Sequence, residues 1–287
     1  MPLSNGQPTS TAFGATSGYT APASSTASGT PAIVAYTQRE RTRALLRSAF
    51  PRRRARVIFT RSLEDFDSAF KTNLVDAAVV DVGAAQEETW RVAELAREYP
   101  SAPFFGLAAL RAAEAPALAQ CATLEFTDVL VDGVDDTAAR DIVHQHSFSC
   151  RFARALDAPP RALALDAPLQ RDAWRFIVSH AGRPVRTSAL AQELGVTREH
   201  LSRSFAAGGA PNLKRIIDLV RIIASAELSK NPGYDLRDVA NILGYASSSH
   251  LSSTAMRVVG SKPASLTRLR TVDLIERFTK GHGRSRG

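Results

Sequence analysis

The chain has 287 residues, 44% of them hydrophobic, which suits about two domains that each bury a core of their own. Its two cysteines, Cys121 and Cys150, argue against a disulfide framework. The sequence shows neither a secretory signal pattern nor about 18 uninterrupted apolar residues, so we expect a soluble cytoplasmic protein with no membrane partner.

The charge of the chain is unevenly distributed. The formal net charge is +8, but residues 160–287 contain 20 Lys and Arg against 10 Asp and Glu. The remaining residues, 1–159, contain 16 basic and 18 acidic side chains. A basic excess confined to one half of a chain indicates a polyanionic partner for that half.

The first 150 residues divide into a tail and an α/β domain. Residues 1–31 are mostly Ser, Thr, Ala, Gly and Pro, a composition that predicts a disordered tail. Residues 32–150 then alternate short apolar runs with helical spacing, which predicts a five-stranded parallel sheet covered by helices. We predict strands at 32–36, 56–60, 76–82, 103–107 and 127–133, and helices at 37–50, 62–73, 86–98, 112–121 and 135–146.

Five βα units of this length resemble the receiver domain of bacterial response regulators. The resemblance places Asp81 at the end of the third strand, where receivers carry the phosphoacceptor. The stretch 36–38 reads Tyr-Thr-Gln instead of the acidic pair that holds Mg²⁺, and Ala108 and Asp132 replace a hydroxyl residue and a lysine. We therefore expect a receiver-like fold without phosphoryl chemistry, because nothing would neutralise charge on the phosphoryl oxygens.

The second half of the chain contains one helical pattern twice. Residues 151–168, with paired prolines, are the expected linker, and residues 169–287 form a predicted all-α domain. In the first copy a helix at 187–194, capped by Thr187 or Ser188, ends at Gly195, and Thr197 caps the next helix. The second copy has helices at 236–243 and 247–258 around Gly244, with Asp235 as cap. A long apolar-faced helix at 211–229 separates the two copies.

Residues 169–270 resemble the DNA-binding domain of AraC/XylS-type transcriptional regulators. The resemblance implies seven helices with two helix-turn-helix units that read successive major grooves, and double-stranded DNA as partner. The N-terminal half lacks the sugar-binding cupin pattern of that family, so the resemblance names no effector. The matching positions are Ala191, Leu194, Gly195, Val196, Leu201, Ser202, Arg203, Phe205, Arg221, Ala226, Val239, Ala240, Leu243, Gly244, Tyr245, Ser249, Gly260 and Pro263.

The resemblance also assigns the DNA contacts. Its base-facing positions carry Glu199, Ser202 and Arg203 in the first recognition helix, and we expect Arg203 to read guanine. In the second helix they carry serines and a histidine, which discriminate bases less, and Ser247 is a helix cap or phosphate contact. The second set is Ser247, Ser248, Ser249, His250 and Ser253, and the expected phosphate contacts are Arg198, Lys214, Arg257 and Lys262.

Three hypotheses follow from the sequence. The first is a sequence-specific, nucleoid-associated transcriptional regulator, with a second copy of the chain and RNA polymerase as further candidate partners. The second is a response regulator switched by phosphorylation of Asp81, and the third is a protein-interaction module that binds DNA without specificity. His144, His146 and Cys150 are soft-metal ligand types, but their spacing does not predict a metal site. No catalytic set has interpretable spacing, so we expect neither enzymatic activity nor a cofactor.

Overall fold

A computed structural model describes residues 30–109, 111–206 and 209–283. The predicted disordered tail lies outside the described residues, apart from its last two positions. The last four residues of the predicted DNA-binding domain, 284–287, also lie outside them.

The N-terminal domain is a five-stranded parallel sheet in the order β2-β1-β3-β4-β5, which confirms the predicted α/β fold. Its helices lie between successive strands and after the last. The strands are β1 (Ala32–Tyr36), β2 (Arg56–Thr60), β3 (Val75–Asp81), β4 (Phe104–Ala108) and β5 (Asp128–Val131). The helices are α1 (Glu40–Ala49), α2 (Leu63–Thr72), α3 (Glu87–Glu94), α4 (Ala115–Thr123) and α5 (Ala139–His146).

The three central strands are buried along their whole length, as expected for a parallel sheet with helices on both faces. Alternate residues of each strand enter opposite cores. Val34 and Val80 contribute to one core and Ile33 and Val79 to the other. The strands can be predicted from sequence because this arrangement requires short, continuous apolar runs.

The rest of the described chain is helical. Two helix-turn-helix units, α8–α9 and α11–α12, flank the long helix α10, as the repeated pattern predicts. The helices are α6 (Phe148–Ala155), α7 (Pro168–Ser179), α8 (Thr187–Glu193), α9 (Arg198–Ala206), α10 (Leu213–Leu228), α11 (Leu236–Ile242), α12 (Ser248–Val259), α13 (Pro263–Leu266) and α14 (Thr271–Gly283).

Helix α10 forms the centre of the C-terminal core. It begins at Leu213, two residues later than Pro211 suggested, because the Asn212 side chain caps it by accepting a hydrogen bond from Arg215 N at 2.9 Å. The sequence predicts one apolar face, but the helix is buried almost all round, with Leu219 and Ile222 fully enclosed as well. A helix buried in this way fixes the two helix-turn-helix units on either side of it.

The predicted linker, 151–168, is packed against the C-terminal core. It contains the second half of α6 and a 3-10 turn at Arg161–Leu163. Leu156, Leu163 and Leu165 are buried in the same core as α10, and the Trp174 indole N–H donates to Leu156 O at 2.8 Å. The Ala, Pro and Arg content predicts a linker, and the three leucines within it pack that linker against the core.

A buried ion pair joins the two halves of the chain. Asp76, the second residue of strand β3, is fully buried, and the Arg183 guanidinium from the loop after α7 donates to its carboxylate at 2.7 Å. Ala32 N and Ser149 N donate to the same carboxylate at 2.9 and 3.0 Å. One side chain thus ties the sheet, α6 and the loop after α7 together.

A second contact lies beside helix α2. The rings of Tyr99 and Tyr234 pack with their centroids 4.8 Å apart, and Ser101 N donates to the Asn231 side chain at 2.8 Å. Gly233 N donates to Glu98 O at 3.0 Å, and helix α11 packs on α2. The support helix of the second helix-turn-helix unit therefore rests on the receiver-like domain.

None of the helices in the described part of the chain combines the length and the apolar character that crossing a membrane requires.

Candidate nucleic-acid interface

The two helix-turn-helix units share one backbone hydrogen-bond pattern in their turns. In the first unit Gly195 N donates to Gln192 O at 3.1 Å and Val196 N to Ala191 O at 3.0 Å. In the second unit the corresponding bonds join Gly244 N to Asn241 O at 3.0 Å and Tyr245 N to Ala240 O at 2.8 Å. The repeat seen in the sequence is therefore a repeat of turn geometry, as in a helix that ends with a left-handed residue.

Glycine is required in both turns for its backbone conformation. Gly195 and Gly244 have φ values of +64° and +65°, which residues with a Cβ adopt at a cost. A Cβ at Gly195 would enter open space, whereas one at Gly244 would lie 2.7 Å from Cγ of Pro184. A side chain at Gly244 is therefore disfavoured both by the backbone conformation and by contact with Pro184. At Gly195 only the backbone conformation disfavours one.

The first unit presents a polar face on α9. Thr197 caps the helix as predicted, since its hydroxyl accepts from His200 N at 3.1 Å. Leu201 and Phe205, one turn apart, are fully buried. The opposite face is exposed and includes the predicted base-facing positions Glu199, Ser202 and Arg203.

The predicted cap of α8 is wrong. The helix begins at Thr187, and Arg186 occupies the N-cap position without a side-chain hydrogen bond to the helix. Thr187 and Ser188 are therefore already inside the first turn. Both are preferred cap residues, and the sequence signal alone could not distinguish a cap from the position after it.

The serines of the second unit have distinct local roles. Ser247 caps α12, because its hydroxyl accepts from His250 N at 3.1 Å. Ser253 donates back to His250 O at 3.0 Å. Ser249 is exposed and Ser248 half-buried in the first turn, where short side chains let the helix backbone approach a groove closely.

His250 presents a defined donor to solvent. Ala246 N donates to its Nδ1 at 3.4 Å, and its ring meets the Tyr245 ring edge-on with centroids 5.6 Å apart. A neutral imidazole that accepts at Nδ1 carries its proton on Nε2. The exposed nitrogen is then a hydrogen-bond donor, suited to a phosphate oxygen or a base acceptor.

Met256 extends the exposed face of α12 and was not among the predicted positions. It lies seven residues after Ser249, on the same side of the helix, and its side chain is 48% exposed. An exposed thioether at this place can contact a thymine methyl group or a sugar. The seven-residue spacing from Ser249 is the signal in the sequence that could have identified it.

Three of the four predicted phosphate contacts are exposed without a side-chain partner among the described residues. Arg198 begins α9, Lys214 lies in the first turn of α10, and Lys262 precedes α13. The fourth, Arg257, lies near the end of α12 and donates to Asp218 of α10 at 2.9 Å. Its side chain is 55% exposed, so it clamps α12 to α10 and still faces solvent.

Arg221 supports the second unit from beneath, a role that the sequence did not indicate. It donates to Leu243 O at 3.0 Å, at the end of α11, and its guanidinium lies 4.0 Å above the centre of the Tyr245 ring. A cation over an aromatic face adds attraction to the hydrogen bond. Arg221 thereby holds the turn of the second unit against α10.

Asp81 is enclosed by hydrogen-bond donors. Thr37 and Thr42 donate their hydroxyls to its carboxylate at 2.7 Å each, and Arg39 donates from both Nε and Nη2. The carboxylate is 3% exposed, and its hydrogen bond raises the pKa of Arg39 above the ordinary value. Arg39 thus pairs with the charge of the Asp81 carboxylate and covers the oxygens that would attack phosphorus.

Among the described residues, no three His, Cys, Asp or Glu side chains are grouped so that they could hold a metal ion. His146 Nδ1 donates to Ile142 O at 2.9 Å, and Cys150 Sγ lies 3.8 Å from the Arg154 guanidinium.

Comparison with known proteins supports DNA binding. Residues 190–268 match a family model described as a helix-turn-helix domain, and the matched range runs from within α8 to beyond α12. The match covers less than a third of the chain. It supports the AraC-type DNA-binding region predicted from the repeat and, with it, a DNA-binding transcription regulator. No curated protein matches the chain.

Among solved structures, the chain is similar to full-length FixJ from B. japonicum, with 12% sequence identity. The alignment covers 79% of this chain and 96% of that chain, with a TM-score of 0.37. A score of this size carries no argument about function.

Proposed function

We propose that the chain is a sequence-specific transcriptional regulator that reads two successive major grooves with α9 and α12. The observation that carries this proposal is the pair of matched turns, each followed by a helix with one buried apolar face and one exposed polar face. Such a helix is what a major groove accepts. The basic excess of residues 160–287 supplies the attraction to phosphate.

The two recognition helices contribute differently to base reading. Arg203 is exposed without a partner in the described chain, so its guanidinium is available for paired hydrogen bonds to guanine. Glu199, one turn earlier, can accept from a cytosine amino group. Helix α12 offers hydroxyls, one imidazole donor and Met256, which select less sharply. We expect the first unit to supply most of the specificity.

Helix α10 sets the distance between the two units. Its 16 residues span about 24 Å, and its surface is buried along nearly the whole length. Arg221 and the Arg257–Asp218 pair fix the second unit to it. A rigid connection of this kind favours one fixed spacing of half-sites, about one turn of DNA.

The receiver-like domain positions the DNA-binding region and takes no phosphoryl group. This proposal rests on the four donors around Asp81 and on the buried Asp76–Arg183 pair. The homodimer and the contact with RNA polymerase remain predictions.

Selection of genomic fragments with the purified chain tests the function, followed by affinity measurements on the best fragment. We expect a motif of two half-sites about 10 base pairs apart. Arg203→Ala should weaken binding by about five- to 150-fold and relax the preference at one position. Arg91→Ala, an exposed helical arginine of the N-terminal domain, removes the same charge as a control and should leave both affinity and preference unchanged.

Affinity should also fall steeply with salt, because several phosphate contacts release counterions. If binding is salt-sensitive but no motif emerges, the chain coats DNA without reading it, and the third hypothesis from the sequence replaces this one.

A further inference from the structure

A cavity of about 330 Å³ lies at the amino-terminal edge of the sheet, on the side opposite Asp81. It is bounded by the starts of β1 and β3, the turn between α1 and β2, and helix α5. That volume equals about eleven liquid waters, so it has room for an organic molecule of about ten non-hydrogen atoms. Cavities of this size are in the range of small-molecule sites.

The floor of the cavity is apolar. The side chains that form it come from β1, the end of α1, the start of β2, β3 and α5, and all are nearly inaccessible from outside. A ligand would therefore place its hydrocarbon part here and release ordered water. The floor residues are Ile33, Phe50, Ala55, Ala77 and Val143.

The rim of the cavity carries an uncompensated positive charge. Arg140 donates to Asp141 at 2.9 Å, so the charges of these two side chains cancel. Arg53 and Arg54 are exposed and have no side-chain partner among the described residues. No residue outside the described ranges is Asp or Glu, so none of those residues adds a side-chain carboxylate. An apolar floor beneath two free guanidinium groups selects a molecule with a hydrocarbon body and an anionic head.

The inner wall of the cavity is the carboxylate that joins the domains. Asp76 lines the cavity and also accepts from Arg183 and from Ser149 N. A carboxylate held at the rim of the same cavity raises the energy of the Asp76 carboxylate, because like charges repel. Occupancy of the cavity is thereby linked to the contact that holds the DNA-binding region.

We propose that this cavity binds a small organic carboxylate with an apolar body, and that its occupancy changes DNA affinity through the Asp76–Arg183 pair. The second clause rests on the proposed function, whereas the first does not. Linkage requires that the effect be reciprocal, so DNA changes the affinity for the carboxylate by the same factor.

Calorimetric titration of the full chain with octanoate, in the absence of DNA, tests the site. Octanoate has about the right size for the cavity, and octanamide is its neutral counterpart. We expect octanoate to bind with a dissociation constant on the order of millimolar or below, and octanamide to bind more weakly. The double variant Arg53→Gln/Arg54→Gln should weaken octanoate binding by about five- to tenfold and leave octanamide binding unchanged.

Arg52→Gln is the matched control, since Arg52 is exposed in the same turn and does not line the cavity. Three results would overturn the site. Octanoate and octanamide could bind equally well, octanoate could fail to bind, or Arg52→Gln could weaken octanoate binding as much as the double variant does. With the selected DNA fragment, saturating octanoate should change the dissociation constant at least about threefold in the unaltered chain. In the double variant, half of that change should require about five- to tenfold more octanoate. Binding of octanoate without that change overturns the coupling alone, and absence of specific DNA binding overturns the proposed function while the octanoate titration still stands.

Discussion

Replacement of Arg183 by methionine tests whether the two halves of the chain are energetically joined. The change keeps most of the apolar stem and removes the guanidinium that donates to Asp76 at 2.7 Å. Asp76 then retains two backbone donors, Ala32 N and Ser149 N, but loses the cation that pairs with it.

The expected loss of unfolding free energy follows from how deeply the Asp76–Arg183 pair is buried. The Asp76 side chain is 1% exposed and that of Arg183 is 16% exposed. Loss of one partner from a buried pair costs about 3–5 kcal/mol, because a charge stays buried without compensation. The two remaining N–H donors stabilise the carboxylate in part, so we expect the free energy of unfolding to fall by about 2–3 kcal/mol.

Urea unfolding followed by tryptophan fluorescence measures this cost. The chain has two tryptophans, Trp90 in helix α3 and the fully buried Trp174 in α7. Versions with only one of them, made by replacement of the other with Phe, report on each domain separately. We expect both to show one common transition in the parent chain and separate transitions after Arg183→Met.

Arg175→Met provides the matched control, because Arg175 is 60% exposed and pairs with Asp172 on the same helix. An exposed pair contributes at most about 1 kcal/mol. Addition of Asp76→Asn to Arg183→Met should recover part of the loss, since it removes the unpaired charge. The account of the interface is refuted if Arg183→Met costs no more than the control and both probes still report a common transition.

Three further predictions concern Asp81, the two turn glycines and Met256. Treatment with acetyl phosphate and Mg²⁺ should leave the chain unlabelled, because Arg39 covers Asp81; labelling that Asp81→Asn abolishes would contradict this. Gly195→Ala should cost about 1 kcal/mol of unfolding free energy and Gly244→Ala clearly more, since only the latter meets Pro184; equal costs in thermal unfolding would count against it. Met256→Gln should reduce DNA affinity about twofold to tenfold on fragments with thymine opposite α12 and not on others, as measured by fluorescence anisotropy.

The elements were predictable from sequence wherever local pattern determines them. The five strands follow from short apolar runs, and the caps Thr197 and Asp235 act as the sequence indicates. The prediction of the α8 cap was wrong because the predicted residue, Thr187, lies one position after the actual N-cap, Arg186. A difference of one position is within the ordinary uncertainty of helix ends.

The contacts between domains were not predictable. Asp76 and Arg183 are 107 positions apart, and nothing local marks either residue as a partner of the other. The same holds for Tyr99 with Tyr234, also between the domains, and for Arg257 with Asp218, which join α12 to α10 within the C-terminal domain. Pairs of this kind become visible only when the chain is folded.

The surroundings of Asp81 were predictable in part. The sequence shows that the Mg²⁺ ligands are absent, but it does not show that Arg39 fills their place.

Systematic base-pair substitution across the best selected fragment, with the affinity measured for each substitution, tests the central proposal most directly. Two blocks of sensitive positions, centred about 10 base pairs apart, are the predicted result, with the sharper block relaxed by Arg203→Ala. A single block, or uniform affinity at every position, would contradict the reading of two successive major grooves by α9 and α12.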